Sequence, residues 1–216
     1  MLYAIISNAS IALCFVPFLF LSWKKIRQVR TYWVIGIYWL LNGVINLPDL
    51  DTPANNSLQE KVTQIYNLLD IPLVLLMFLF AAPGRRRKGH LTWSLLLYSL
   101  AEILLFQWKG YAFTFNAVLV GSGLVLIFCI TGLVQFMREM EHTSFENSMA
   151  FVYGAMLFAY GSFLLIYLFV HTHPGITTSG SKDWLLLYYT NLLLTTAVTS
   201  IGLWGYGVRQ PPQQVA

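Results

Sequence analysis

The chain has 216 residues, of which 57% are hydrophobic and 10% charged, with a formal net charge of +4 and a mean hydropathy of +0.63. A soluble domain usually carries about 25% charged residues, so this chain has too little polar surface for a water-soluble particle of its size. The basic residues form short clusters between apolar stretches, which is typical of membrane orientation signals and not of nucleic-acid binding. The sequence therefore predicts an all-α polytopic membrane protein, with a single transmembrane domain over residues 1–216.

Seven apolar windows follow one another along the chain, each about as long as the hydrocarbon core of a bilayer requires. They predict transmembrane helices at residues 2–23, 32–48, 64–83, 91–108, 112–137, 147–170 and 184–208. The first window precedes the basic residues Lys24, Lys25 and Arg27, whereas a cleavable signal peptide carries its basic residues first. We therefore interpret it as the first helix of a seven-transmembrane-helix bundle.

Basic residues are distributed unequally between the two sides that these helices define. With the N-terminus outside, the outer segments hold three of the thirteen, namely Lys61, Lys109 and Lys182. The other ten lie in inner segments: Lys24, Lys25, Arg27, Arg30, Arg85, Arg86, Arg87, Lys88, Arg138 and Arg209. Because Lys and Arg accumulate in cytoplasmic loops, the sequence predicts an outside N-terminus and a cytoplasmic C-terminus, in the plasma (inner) membrane.

The loop lengths suggest an internal repeat. Helices 1–3 and 5–7 share a short charged inner loop followed by a longer polar outer loop, at residues 49–63 and 171–183. Parallel repeats of this kind, here in a 3+1+3 plan, occur among small transporters. The matching segments are short, Tyr66-Asn67-Leu68-Leu69 and Thr190-Asn191-Leu192-Leu193, so an accidental similarity between apolar helices stays open as the alternative.

Two acidic residues fall inside predicted spans, Asp70 in helix 3 and Glu102 in helix 4. A charged residue in a bilayer costs about 2.5–3.5 kcal/mol on insertion scales, so such residues normally face the bundle interior and mark functional sites. Counting residues from the helix ends puts both acids at a similar depth in the outer half of the membrane. No lysine or arginine within the predicted spans offers a counter-ion. We predict that the two acids bind a ligand or carry a coupling proton.

Further polar residues fall in the same outer half of the predicted bundle. Besides the two acids, the predicted ligand-binding or proton-coupling residues are Asn42, Asn46, Asn67, Tyr98, Asn116, Tyr167, Tyr188 and Asn191. The inner halves, such as residues 73–80 and 124–130, are almost purely apolar. We expect a polar cavity that opens outward above an apolar inner layer. The alternative is that these polar side chains only join helices to each other, as Asn, Ser, Thr and Tyr often do in membranes.

The predicted architecture resembles three known families without sharing their motifs. Rhodopsins carry a retinal Schiff-base lysine in helix 7, and the stretch from Trp184 to Val208 contains no lysine, so no retinal cofactor is expected. The ceramidase-like hydrolases use histidines of helix 7 as zinc ligands, and this stretch has no histidine either. The small sugar transporters place prolines in the first two helices of each repeat, whereas predicted helices 5 and 6 have none and predicted helix 2 has only Pro48 at its end. His171 and His173 read as exposed loop residues, and no metal site is predicted.

Three functions are open on the sequence alone. The favoured one is the binding or transport of a small molecule through an outward-facing polar pocket lined by Asp70 and Glu102. The second is an intramembrane enzyme that modifies a lipid or isoprenoid, with the two acids as general acid and general base. The third is a non-catalytic seven-helix sensor or assembly subunit. The expected partners are the lipid bilayer and a small-molecule ligand or lipid, not nucleic acid, and a homo-oligomer or a partner subunit is left open.

Overall fold

The computed structural model describes residues 2–24, 29–47, 53–82, 84–109, 111–172 and 181–209. These residues are helical apart from short turns, and no strand occurs among them. The helices are α1 (Leu2–Cys14), α2 (Val16–Trp23), α3 (Arg30–Ile45), α4 (Pro53–Ala81), α5 (Arg85–Lys109), α6 (Tyr111–Arg138), α7 (Ser144–Thr172) and α8 (Ser181–Arg209). The predicted all-α class is therefore confirmed.

Pro17 explains why the first predicted helix is divided in two. Proline lacks a backbone N–H, and its ring clashes with the carbonyl four residues earlier. Accordingly α1 ends at Cys14, Phe15 forms a turn, and α2 begins at Val16 with the proline in its first turn. Pro72 has a milder effect, since α4 continues through it as one helix. With α1 and α2 counted as one interrupted helix, the described elements fit the predicted count of seven.

Two helices begin well before the predicted residue, because each helix includes polar residues that precede its apolar stretch. α4 begins at Pro53, and α5 begins at Arg85. Hydropathy misses these turns because Gln, Glu, Lys and Arg favour helices despite their polarity. The prediction of a loop over 49–63 is therefore wrong for residues 53–63. The remaining helix ends lie within three residues of the prediction.

Four helical stretches among the described residues are long and apolar enough to cross a membrane: Tyr3–Trp23, Leu119–Arg138, Ser144–Ile166 and Leu185–Tyr206. A shorter apolar stretch covers Ile65–Ala81. Large apolar side chains point outward from many helices, where a water-soluble protein would keep apolar patches small. The structure is thus compatible with a membrane protein.

The helices form a ring, and α5 lies on its outside. α1 and α2 pack against α3, α3 against α4, α4 against α6, α6 against α7, and α7 against α8, which returns to α1 and α2. α5 packs chiefly against α4 and α6. With α1 and α2 counted as one helix, successive helices alternate in direction, so the bundle has two ends. We call the end at which α1 begins the amino end, and the end at which α8 finishes the carboxyl end.

The hydrophobic core includes the two stretches that were predicted to be apolar. α4 contributes Val74, Leu75 and Phe78, and α6 contributes Val125 and Cys129. Gly84, with φ of +73°, forms the turn between α4 and α5 in a backbone region that favours glycine. The carboxyl half is nevertheless less uniformly apolar than expected, since the polar side chains Tyr32, Ser148 and Tyr206 are buried there.

Candidate functional site

Three tyrosine hydroxyls gather around Asp70 where α3, α4 and α7 meet. The Asp70 Oδ1 atom accepts a hydrogen bond of 3.1 Å from the Tyr66 hydroxyl and one of 3.0 Å from the Tyr160 hydroxyl. The Tyr160 hydroxyl also lies 3.3 Å from that of Tyr38. Tyr38 and Tyr160 are buried, while Asp70 is partly buried. We call these four residues the Asp70 cluster.

The cluster combines one local contact with two contacts between helices. Tyr66 precedes Asp70 by four residues, which puts both side chains on the same face of α4. Tyr160 reaches the carboxylate from α7, and Tyr38 comes from α3. A carboxylate has about four lone-pair positions, of which the hydroxyls of Tyr66 and Tyr160 use two. The Asp70 cluster can therefore accept a further donor, from a hydroxyl-bearing or cationic ligand.

The predicted residues of α3 bond to their own helix and to α8. The Asn42 Nδ2 atom donates to the Tyr38 carbonyl at 3.3 Å, and the Asn46 Nδ2 atom donates to the Asn42 carbonyl at 2.9 Å. Asn46 also donates to the Tyr188 hydroxyl on α8 at 3.2 Å. These bonds satisfy the amides without a ligand. The contact between Asn46 and Tyr188 therefore favours the helix-joining alternative, while the described bond of Asn42 stays within α3.

The side-chain oxygen of Asn191 on α8 is a buried acceptor without a hydrogen-bond partner among the described residues. The Nδ2 atom of Asn191 donates to the carbonyl of Ala159 at 3.3 Å, the residue before Tyr160. Its Oδ1 atom is buried and has no hydrogen-bond partner among the described residues. An unpaired buried carbonyl costs about 1–3 kcal/mol. A bound molecule with a donor group would remove this cost, and so would an ordered water.

Glu102 pairs with a different tyrosine. The Tyr98 hydroxyl donates to the Glu102 Oε1 atom at 3.2 Å, and Glu102 is only 4% exposed. A Cβ atom on Gly121 of α6 would lie 2.6 Å from the Tyr98 hydroxyl and 2.8 Å from Ile71 Cγ1 on α4. The Tyr98 side chain of α5 therefore packs closely where α5 meets α4 and α6. The two acids have different hydrogen-bond partners: Asp70 accepts from Tyr66 on α4 and Tyr160 on α7, and Glu102 accepts from Tyr98 on its own helix α5.

The structure describes less of the remaining predicted residues. Asn67 is partly buried on α4, one turn before Asp70. The side chains of Asn116 and Tyr167 lie outside the described residues, although both belong to helices. The His171 side chain and all of His173 also lie outside the described part.

A group with metal-ligand chemistry occurs at the carboxyl end. One potential ligand atom from each of Glu139, His142 and Glu146 lies within 4.8 Å of the others. The Glu146 Oε2 atom accepts hydrogen bonds from the Thr143 backbone N–H at 2.7 Å and from its hydroxyl at 2.9 Å. The Thr143 hydroxyl in turn accepts from the Glu146 N–H at 3.2 Å. This is a capping box that starts α7, so Glu146 already has a structural role.

The tyrosines around Asp70 were not among the predicted site residues. Tyr66 has a local signal, because it precedes Asp70 by the same four residues that separate Tyr98 from Glu102. Tyr160 lies seven residues before the predicted residue Tyr167 on the same helix, but its contact with Asp70, 90 residues away, depends on the tertiary arrangement of α4 and α7.

Comparison of the chain with protein-family models, with curated proteins and with solved structures found no match. The function is therefore inferred from the Asp70 cluster and its surroundings.

Proposed function

We propose that the protein is a seven-helix integral membrane protein of the plasma membrane, with its N-terminus outside and its C-terminus in the cytoplasm, which binds or transports a small molecule at the Asp70 cluster. The membrane location is supported by the four long apolar helices. The orientation is supported by the excess of Lys and Arg in the segments assigned to the inside. The amino end of the bundle then faces outward, and Asp70, Tyr160 and Tyr38 lie near the middle of α4, α7 and α3.

One observation carries the proposal: a carboxylate inside the bundle is held by tyrosine hydroxyls, and no cation is among its partners in the described part of the chain. An acid in the membrane interior is expensive, and a purely structural acid is normally paired with Lys, Arg or a backbone donor. The Asp70 Oδ1 atom has the hydroxyls of Tyr66 and Tyr160 instead. The unpartnered Asn191 Oδ1 adds an acceptor on the neighbouring helix.

These acceptors define the class of ligand. Asp70 and Asn191 both offer oxygen atoms, so the ligand should present donors, as an amine or a polyol does. An ammonium group would also provide the missing positive charge. In a transporter, Asp70 can alternatively carry the coupling proton, because a carboxylic acid in this position can exchange a proton as the ligand binds and leaves.

A ligand screen tests the proposal. We would measure the thermal stability of the purified protein with a panel of small amines and polyols, and then titrate each hit. Asp70→Asn removes the charge but keeps the shape, and it should weaken binding at least about tenfold, which corresponds to roughly 1.4 kcal/mol. Binding should also depend on pH in the unmodified protein and lose that dependence in Asp70→Asn.

Glu102→Gln is the matched control, because Glu102 is also an acid of the same bundle but pairs with Tyr98. It should leave binding nearly unchanged. If every hit binds Asp70→Asn and Glu102→Gln as tightly as the unmodified protein, the Asp70 cluster is not a ligand site.

The separate partners of the two acids favour a second candidate, a non-catalytic sensor or assembly subunit. Glu102 is almost fully buried, and its described hydrogen bond comes from its own helix, so its described hydrogen bonds include none from another helix. If no amine or polyol stabilises the protein and Asp70→Asn only lowers stability, this second function is the better one. An enzyme that uses the two acids as a pair would instead need both carboxylates at one substrate.

A further inference from the structure

A cavity of about 570 Å³ opens at the carboxyl end, far along the helices from the Asp70 cluster. Four helices contribute its wall, which consists of Val29, Arg30, Thr31, Leu79, Phe80, Lys88, Thr92 and Phe145. α3 and α5 both pack against α4 but make no extensive contact with each other among the described residues. The end of α4 therefore forms the floor of a cleft between α3 and α5.

The wall of this cavity is basic. Arg30 and Lys88 contribute two cations, and no acid occurs among the described residues that line it. Both side chains are exposed. Arg87, the neighbour of Lys88, instead donates to Gln135 on α6. Near the start of α5, Arg87 therefore points towards α6, whereas Lys88 lines the cavity.

The start of α3 adds further positive charge at the cavity. This 16-residue helix begins at Arg30, and its N-cap residue Val29 provides no side-chain hydrogen bond to the first-turn N–H groups. Such a terminus carries a partial positive charge, which favours an anion. Thr31 supplies a hydroxyl at the same place.

Most of the remaining wall is apolar, which favours a lipid over a soluble anion as the ligand. Leu79, Phe80 and Phe145 lie beside the cations, and Phe80 is 38% exposed. A soluble phosphate would gain nothing from these side chains, whereas the glycerol and upper acyl chain of a lipid would cover them. Basic pockets between transmembrane helices on the cytoplasmic side are a known way of binding acidic headgroups.

We propose that this cavity binds the phosphate group of an anionic phospholipid, with Arg30 and Lys88 as its cationic ligands. The proposal rests on the membrane location proposed above and is independent of any ligand at Asp70. The lipid would hold together the starts of α3 and α5, which have little direct contact.

The test uses the full chain in nanodiscs of phosphatidylcholine, with or without added phosphatidylglycerol. Native mass spectrometry measures the phosphatidylglycerol that stays bound, and thermal unfolding measures the accompanying gain in stability. The double variant Arg30→Gln/Lys88→Gln should bind phosphatidylglycerol at least about tenfold more weakly, because it removes the charged donors proposed to contact the phosphate. The charge-keeping double variant Arg30→Lys/Lys88→Arg should retain most of the binding and shows that the site tolerates substitution.

Lys24→Gln/Arg138→Gln is the matched control. It removes the same charge from two exposed cations at the same end of the bundle, and neither of them lines the cavity. The control should bind phosphatidylglycerol as the unmodified protein does. An equal loss in both double variants, or no loss in Arg30→Gln/Lys88→Gln, would overturn the proposal.

A separate arm distinguishes the source of the phosphate. Inorganic phosphate added to phosphatidylcholine nanodiscs should give no gain in stability. If it stabilises the protein as much as phosphatidylglycerol does, and the gain is lost in Arg30→Gln/Lys88→Gln, the cavity takes a soluble phosphate and the lipid proposal is wrong. Neither result depends on Asp70, so this test and the ligand screen can fail separately.

Discussion

Each acid inside the bundle accepts a hydrogen bond from a tyrosine four residues earlier on its own helix. The distances are nearly equal, 3.1 Å for Tyr66 with Asp70 and 3.2 Å for Tyr98 with Glu102. The acids differ in what surrounds this local pair. Asp70 has a second hydroxyl from α7, whereas Glu102 is enclosed between packed helices. A shared sequence pattern thus leads to two different environments.

Tyr160 should be the most sensitive tyrosine of the Asp70 cluster. Tyr160→Phe removes a bond to Asp70 and the contact with the Tyr38 hydroxyl, whereas Tyr66→Phe removes one bond only. Interhelical hydrogen bonds in membranes are worth about 0.6 kcal/mol on average and up to about 1.7. We therefore expect Tyr160→Phe to lower the unfolding temperature more than Tyr66→Phe in the same detergent.

Tyr153→Phe is the control for this comparison. Tyr153 lies two turns before Tyr160 on the same helix, and none of its described contacts is a hydroxyl hydrogen bond. Its stability should stay close to that of the unmodified protein. An unfolding temperature of Tyr160→Phe equal to that of Tyr153→Phe would show that the hydroxyls around Asp70 contribute nothing to stability.

At the level of helices, close approach depends on a few glycines and not on all of them. A Cβ atom on Gly202 of α8 would lie 2.7 Å from the Phe151 Cβ atom and 3.1 Å from the Ser148 carbonyl oxygen on α7. Both atoms belong to or adjoin the α7 backbone, so a side-chain rotation cannot make room. Gly205, one turn later on α8, meets no atom within 4 Å.

The two glycines therefore predict opposite effects of the same substitution. Gly202→Ala should force α7 and α8 apart and destabilise the protein by about 1–3 kcal/mol, as overpacking does in other cores. Gly205→Ala should be neutral or stabilise by up to about 1 kcal/mol, because alanine favours helix over glycine. Thermal unfolding of both variants measures the difference. A Gly202→Ala variant at least as stable as Gly205→Ala would contradict the packing of α7 on α8 described above.

At the scale of the whole molecule, α5 occupies the position of a connecting helix. The other helices form the ring, with α1 to α4 on one side and α6 to α8 on the other, and α5 lies outside where α4 meets α6. Two three-helix units joined by a fourth helix would have this arrangement. The 3+1+3 repeat stays a prediction, since the described contacts concern packing and not ancestry.

The proposed orientation can be tested with single cysteines at the two ends of the bundle. The native Cys14 and Cys129 are fully buried and should not react with a membrane-impermeant maleimide. Leu47→Cys, at the amino end after α3, should be labelled in intact cells because Leu47 is 49% exposed. Glu141→Cys, in the exposed turn between α6 and α7, should be labelled only after the cells are permeabilised. The reverse pattern would mean that the N-terminus is cytoplasmic.

Much of the fold could be predicted from the sequence, because the number of apolar stretches limits the number of helices. The errors occurred at 53–63 and 85–90, where helix continues through polar residues. Hydropathy reports solubility in lipid and does not report backbone preference. Pro17 also suggests a helix break near Phe15. Proline alone does not decide this, because α4 stays continuous through Pro72.

The sequence by itself determined the helical class, the helix count and the presence of two acids within apolar segments, since these depend on residue type and local spacing. Only the tertiary structure decided which groups surround each acid. Tyr160 meets Asp70 across 90 residues, and Asn46 meets Tyr188 across 142. The reason is that a helical face can be read from a period of about 3.6 residues, whereas the neighbour of that face depends on how all the helices pack at once. Asp70 and Glu102 each accept a hydrogen bond from a different tyrosine, and the pocket that they are predicted to share stays a prediction.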